Sequence, residues 1–220
     1  MTVILAAGAP PTHDIPLRMF RDADRLIACD GAWRTAISLG RVPDIVVGDG
    51  DSIGPDGRAE LARRNIPIAA LSEQDTNDLC KAFRYAVDSF PDENDVSILG
   101  ATGLREDHSI GNIFHLVDFA EALRCRRTGD AHAKIAMATD HGVFEPVLPP
   151  GGSWESAPDH PVSVFAPQPG TEMTSEGLRW PLDGVAFDSL WRGTLNRTVG
   201  GSFAIRTNHT AILYRPYVAC

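Results

Sequence analysis

Six short apolar runs punctuate the first two thirds of the chain, and they most constrain its fold. They read VILAA (3–7), RLIAC (25–29), DIVVG (44–48), IPIAAL (66–71), DVSILGA (95–101) and AKIAMAT (133–139). Runs this short and this apolar suit strands buried on both faces. Between them lie helical patterns. Over 76–89 the periodicity puts Leu79, Ala82, Phe83 and Ala86 on one face, and over 108–124 it does so for Ile110, Ile113, Phe114 and Val117. A third helix over 32–39 is expected to stop at Gly40. This alternation predicts a Rossmann-like α/β domain with a mostly parallel sheet.

The texture changes after about residue 145. VLPPGGSWESAPDHP (147–161) reads as a linker or domain edge, being rich in Pro, Gly and Ser. Strand-like runs follow at short intervals: VSVFAP, TEMTSEGLRWPL, SLWRGTLNRTV, GSFAIRTN and TAILYRPY. They predict a smaller all-β sandwich. The expected domains are therefore 1–147, α/β, and 148–220, β-sandwich.

The acidic residues fall on this map in a regular way. Asp30 follows the second run, Asp49 and Asp51 the third, Asp75 and Asp78 the fourth, and Arg105 and Asp107 the fifth. In an open parallel sheet the carboxyl ends of the strands share one edge, where ligands bind. Singly, each acid has an ordinary reading. Asp49 and Asp51 suit a solvated loop, and Asp75 or Asp107 suits a helix cap, with Asp78 favoured in a first turn. Repetition at four successive junctions favours convergence on one site.

Several carboxylates facing one cleft need a counter-cation. Oxygen-only ligands select a hard one, Mg²⁺ before Mn²⁺ or Ca²⁺. Gly31, Gly48, Gly50, Gly100 and Gly103 would let backbone approach phosphate oxygens. Arg105 offers a planar donor fork suited to phosphate.

Composition narrows the partners. A net charge of −9 argues against a nucleic-acid partner. No run approaches the roughly 20 apolar residues of a membrane span. The two lysines, Lys81 and Lys134, lie in no GxxxxGK[ST] phosphate loop. The four cysteines, Cys29, Cys80, Cys125 and Cys220, form no CxxC pair. MTVILAAGAPP lacks a basic leading segment and reads as a first strand, so a cytoplasmic setting is expected.

The motifs ACDGA, VVGDGDSI, QDTNDLCKA and GATGLREDHSIGNI, in this order, resemble the thiamine pyrophosphokinase family, as do GLRWPL and TLNRT downstream. The resemblance implies Mg²⁺-dependent transfer of pyrophosphate from ATP to thiamine, giving thiamine diphosphate and AMP. It implies a homodimer with active sites between subunits. By position, Asp49, Asp51 and Asp78 would hold the metal. Asp30, Asp75 and Asp107 would shape the acidic site together with Arg105. Gln74, Thr102 and Arg105 would contact phosphates. Trp180, donated by the partner subunit, would stack on the pyrimidine, with Asn196 nearby. Asn77, Leu104 and Leu195 depart from the usual Thr, Gly and Ser of the family.

Three other readings remain open at this level. One is a pyrophosphokinase acting on another alcohol, such as a pterin. A second is a DxD metal-dependent nucleotide-sugar transferase, which explains only Asp49 and Asp51. The third is a dimer that binds a phosphorylated ligand without turnover.

Overall fold

The structure, a computed structural model, describes residues 1–93, 95–126 and 134–217. Its contacts group into two units. Unit 1 comprises Met1–His115 and Arg126–Asp140, and unit 2 comprises Leu116–Cys125 and His141–Cys220.

Unit 1 runs β1 (Thr2–Leu5), α1 (Asp14–Asp22), β2 (Arg25–Cys29), α2 (Trp33–Ser38), β3 (Ile45–Gly48), α3 (Gly54–Arg63), β4 (Ile68–Ala70), α4 (Asp78–Ser89), β5 (Asp95–Leu99), the start of α5 (Glu106–Arg126) and β6 (Lys134–Ala138). All six strands are parallel, in the order β6-β5-β1-β2-β3-β4. The six apolar runs are these six strands. β1, β3 and the inner parts of β2 and β5 are buried throughout, as double-sided burial requires. α2 ends in a Schellman motif: Gly40, at φ +88°, donates to Ile37 O, and Arg41 donates to Ala36 O.

The helices differ from the sequence reading in two ways. α1 lies where that reading has no helix; it is amphipathic and buries Pro16 and Phe20. Its start is fixed by capping. The His13 ring accepts from Ile15 N, and Asp140, just beyond β6, accepts from the N–H groups of Thr12 and His13. In α5, Ile110 is exposed rather than packed. The buried stripe is Leu116, Phe119, Ala120 and Leu123, an i, i+3, i+4, i+7 set.

Unit 2 adds β7 (Gly142–Val147), β8 (Gly151–Glu155), β9 (Pro161–Phe165), β10 (Met173–Glu176), β11 (Gly193–Arg197), β12 (Ser202–Thr207) and β13 (Ala211–Pro216). One antiparallel sheet orders as β11-β9-β13-β7, the other as β10-β12-β8. Val147, Val162, Val164 and Leu213 of the first meet Met173, Phe203 and Ile205 of the second in one core. This is a sandwich. β9 and β12 alternate buried and open positions accordingly.

The contact units divide at Asp140/His141, and β7 pairs with β13. The expected linker 147–161 contains β8, which pairs with β12. Cys29 and Cys80 are buried and Cys125 is exposed, none of the three in a disulfide, whereas Cys220 lies outside the described residues. No helix among the described residues is long and apolar enough to cross a membrane.

Candidate active site

The strand order of unit 1 has a switch point. The chain steps from β1 outward through β2, β3 and β4, then returns to the other side of β1 with β5. Crevices at the carboxyl edge of such a point are where α/β sheets bind ligands. The loops after β1 and β5 meet there, with Gly8 N donating to Gly100 O at 2.6 Å and Ala9 N to Thr102 O at 2.8 Å. A cavity of about 310 Å³ opens beside them, lined by Gly8, Cys29, Asp78, Thr102, Arg105 and Asn112.

Three of the predicted acids gather across β2, β3 and α4. Asp30 opens a 3₁₀ turn directly after β2 and is fully buried. Its Oδ2 accepts from Ser52 N at 3.2 Å, while its Oδ1 is buried without a partner. Burial pushes its carboxyl pKa up, and Asp49 adds to the effect against the backbone N–H groups of Ser52 and Gly50.

Gly48, the last residue of β3, leaves the room these acids occupy. A Cβ there would stand 2.5 Å from Asp30 Cβ and 3.1 Å from Asp78 Oδ1. Asp78 begins α4 behind the Asn77 cap, whose side chain accepts from Cys80 N at 3.0 Å. The cap is thus Asn77, not Asp75, and an Asn in place of Thr still performs it.

Lys81 links the acids, a role not anticipated. It is 1% exposed, and its Nζ lies 3.3 Å from Asp49 Oδ2 and 3.5 Å from Asp78 Oδ1. The two partners respond in opposite directions. Asp49 is lowered, first by the Asp51 N–H and then by Lys81 and the Gln74 side chain. Asp78 is raised, because burial and Asp49 outweigh Lys81. The difference is physical: Asp49 receives a backbone donor as well and has the shorter ion pair. Burial works against the Lys81 charge, but its two acids more than offset this and leave its pKa raised.

The donor set fits a hard divalent cation. It is all carboxylate, one buried oxygen of Asp30 is unpartnered, and two of the acids share one ammonium. No ready-made group of three His, Cys, Asp or Glu ligands exists among the described residues.

The remaining predicted residues are arranged differently. Asp51 is exposed and donates its N–H to Asp49. Gln74 and Asp75 are exposed in the loop before α4. Arg105 and Asp107 are exposed and pair with each other, at 2.5 Å between Nη2 and Oδ2. That pairing pulls the Asp107 carboxyl down to about 2.

Glu73 organises the loop before α4. It accepts from the Thr76 hydroxyl, from Asp75 N and from Arg84. Led by the Thr76 hydroxyl, these partners hold its pKa at about 2, below the ordinary 4.5. A carboxyl lowered by folding adds stability above its unfolded pKa and loses it as pH falls toward the folded one. Glu73→Gln should therefore be less stable than the parent above pH 4.5, with the gap closing as pH falls toward 2. Thermal unfolding across that window checks this, and a gap that stays constant contradicts it.

In unit 2, Trp180 is 54% exposed. Asn196, 4% exposed, grips its backbone from both sides: Trp180 N donates to Asn196 Oδ1 at 3.1 Å, and Asn196 Nδ2 donates to Trp180 O at 2.6 Å. The amide of Asn196 is therefore committed to the loop, and Trp180 is the side chain it presents. The Arg179 guanidinium lies 5.7 Å from the Trp180 ring centroid. A cavity of about 220 Å³ is lined by Trp180, Pro181, Arg192, Leu195 and Asn196. Leu195 is 86% exposed, at φ +60°.

Three residues escaped the sequence reading. Lys81 carried one visible signal, its i, i+3 spacing from Asp78. Gly8 follows the first strand but takes meaning only from the strand order. Asn112 accepts from Asn77 and donates to Ala101 O, joining the α4 cap to the loop after β5.

Comparison with known proteins accords with this geometry. Two family models match: "Thiamin pyrophosphokinase, catalytic domain" over residues 17–126, and "Thiamin pyrophosphokinase, substrate-binding domain" over residues 142–214. Thiamine pyrophosphokinase 1 of Oryza sativa subsp. japonica is 28% identical over 155 residues, covering 66% of this chain and 54% of that protein. Thiamine pyrophosphokinase of Bacillus subtilis (strain 168) is 34% identical over 119 residues, covering 51% and 52%. The chain thus spans about half the length of the curated relatives it matches. The crystal structure of thiamine pyrophosphokinase from Bacillus subtilis superposes with TM-score 0.78 at 21% identity over 100% of both chains. That of the Candida albicans protein gives 0.74 at 13% identity, over 99% of this chain and 89% of the other. Together the two family models cover most of the sequence. This chain belongs to the thiamine pyrophosphokinase family.

Proposed function

We propose that the protein transfers the terminal diphosphoryl group of ATP to the hydroxyethyl oxygen of thiamine, releasing AMP and thiamine diphosphate. The observation that carries this reading is the convergence of Asp30, Asp49 and Asp78, from three separate loops, beside the switch-point cavity. The family membership of both units supports it.

In this reading Asp49, Asp51 and Asp78 hold Mg²⁺, with Asp30 behind them. The bound cation neutralises phosphate charge and helps orient the phosphates. Thr102 and Arg105, which line the cavity, and Gln74, beside Asp49, face the ATP phosphates. The thiamine hydroxyl attacks the β-phosphorus. The bond from that phosphorus to its bridging oxygen breaks, and the oxygen leaves with AMP. Positioning and charge carry most of the rate.

The hydroxyl proton passes to a carboxylate. Of the two candidate bases, Asp107 at about 2 is weak, and Asp30, whose pKa burial raises, is fully buried and outside the cavity lining. Asp75 and Asp107 contribute negative charge that suits a cationic thiazolium. The Trp180 ring stacks on the substrate and attracts its charge. The active molecule is a homodimer in which Trp180 serves the partner's site, and it works in a reducing, cytoplasmic setting.

Incubation with ATP, Mg²⁺ and either thiamine or a pterin alcohol, followed by chromatography, tests the reading. Thiamine should yield AMP and thiamine diphosphate in equal amounts. Turnover of the pterin alcohol alone, or of neither, would overturn it.

A further inference from the structure

We propose that Lys81 is a built-in counter-cation, holding the space between Asp49 and Asp78 until phosphate arrives and so preventing a divalent cation from settling there alone. The inference rests on the reading above only in taking Asp49 and Asp78 as metal-holding groups.

The geometry is specific. Lys81 sits one turn into α4 from Asp78, in a part of the helix where Leu79, Cys80, Ala82 and Phe83 are buried around it. Its ammonium contacts carboxylate oxygens from the loop after β3 and from the first turn of its own helix, at 3.3 and 3.5 Å, with the side chain 2% exposed. Lysine is almost never this buried unless paired, and here both partners are candidate ligands.

The charge count explains why the arrangement stops short of neutrality. Asp49 and Asp78 bring two carboxylates to one ammonium, and the buried Asp30, beside Gly48 with its Oδ1 unpartnered, adds a third that the Arg58 charge acts on. With Asp51 next to Asp49, negative charge stays in excess, enough to draw a dication. Yet a dication between Asp49 and Asp78 would stand at contact range from the ammonium, and at that range repulsion is strong. Incoming phosphates change the balance, because the ammonium can then pair with a phosphate oxygen. Metal and nucleotide thereby favour each other's binding, and the favour is reciprocal. The device would keep free Mg²⁺ from occupying the site without a phosphate donor.

The test uses Mn²⁺ as probe and follows free Mn²⁺ by electron paramagnetic resonance, without nucleotide. Lys81→Met should bind Mn²⁺ at least about tenfold more tightly than the parent. A purely structural lysine would give equal or weaker binding, and that result overturns the inference.

Thermal unfolding of the parent gives an independent arm that needs no variant. Mn²⁺ alone should shift the parent Tm little, and Mn²⁺ with α,β-methylene-ATP should shift it by more than the two single shifts together. A shift by Mn²⁺ alone as large as with both ligands also overturns the inference. Lys81→Gln repeats the binding measurement if the Met variant does not fold.

Thiamine turnover by the same parent preparation separates the two claims. With turnover present and no tightening in Lys81→Met, only the counter-cation role falls. With turnover absent and tenfold tightening present, the role stands and the substrate reading falls.

Discussion

Asp78→Asn should lower kcat for thiamine diphosphate formation by about 10²–10³-fold, the usual loss when one charge-stabilising group is removed from an active site. The substitution is close to isosteric and keeps the first turn of α4 behind the Asn77 cap. It removes one of the three clustered charges and leaves Lys81 with Asp49 alone. The fold should not suffer. The pKa of Asp78 is raised, so folding disfavours its charge, and above that pKa a neutral amide escapes the cost. Tm in EDTA should therefore match or exceed the parent value while activity collapses, the trade-off common at functional sites. A Tm that falls along with kcat would return Asp78 to a structural role.

Trp180→Ala should raise KM for thiamine about 30-fold, with a smaller effect on kcat, if the ring supplies roughly 2 kcal/mol of stacking and cation–π attraction. The ring is more than half exposed, and the Asn196 amide fixes the backbone beneath it. Removing the ring therefore leaves the loop's hydrogen bonds in place, and Tm should stay within a degree or so of the parent. Trp180→Phe should recover most of the affinity. An unchanged KM, or a clear loss of stability, would make Trp180 part of the fold rather than a substrate platform.

Much of this architecture is legible in the residues alone, for identifiable reasons. A parallel strand buried on both faces must be a short apolar run, so RLIAC and DVSILGA mark β2 and β5 to within two residues. Asp30, Asp49 and Asp78 come at or near strand ends, and the parallel arrangement forces those ends to one edge. The sandwich strands are equally visible where they alternate, as in β9.

What the pattern hides is tertiary. Lys81 looks like a surface lysine, because burial of its ammonium depends on Asp49, brought from elsewhere in the chain to join Asp78. At α1 the apolar periodicity is present in the sequence, though the sequence reading omits it; what the sequence hides is the part of its capping that Asp140 supplies from over a hundred residues away. Arg105 and Asp107 were grouped with the other acids by position. Instead they pair locally and stay exposed, since nothing in the sequence says which way a loop side chain turns. Asn112 is hidden for the opposite reason. Its partners are a backbone carbonyl and a helix cap, which only the folded loops bring within reach.

The fate of isotopically labelled ATP tests the central claim most directly. ATP labelled separately at its α-, β- and γ-phosphorus is incubated with Mg²⁺ and thiamine, and the products are separated. Attack at the β-phosphorus predicts α-label in AMP only, with β- and γ-label together in thiamine diphosphate. γ-Label alone on the thiamine product, with β-label retained in ADP, would contradict the account.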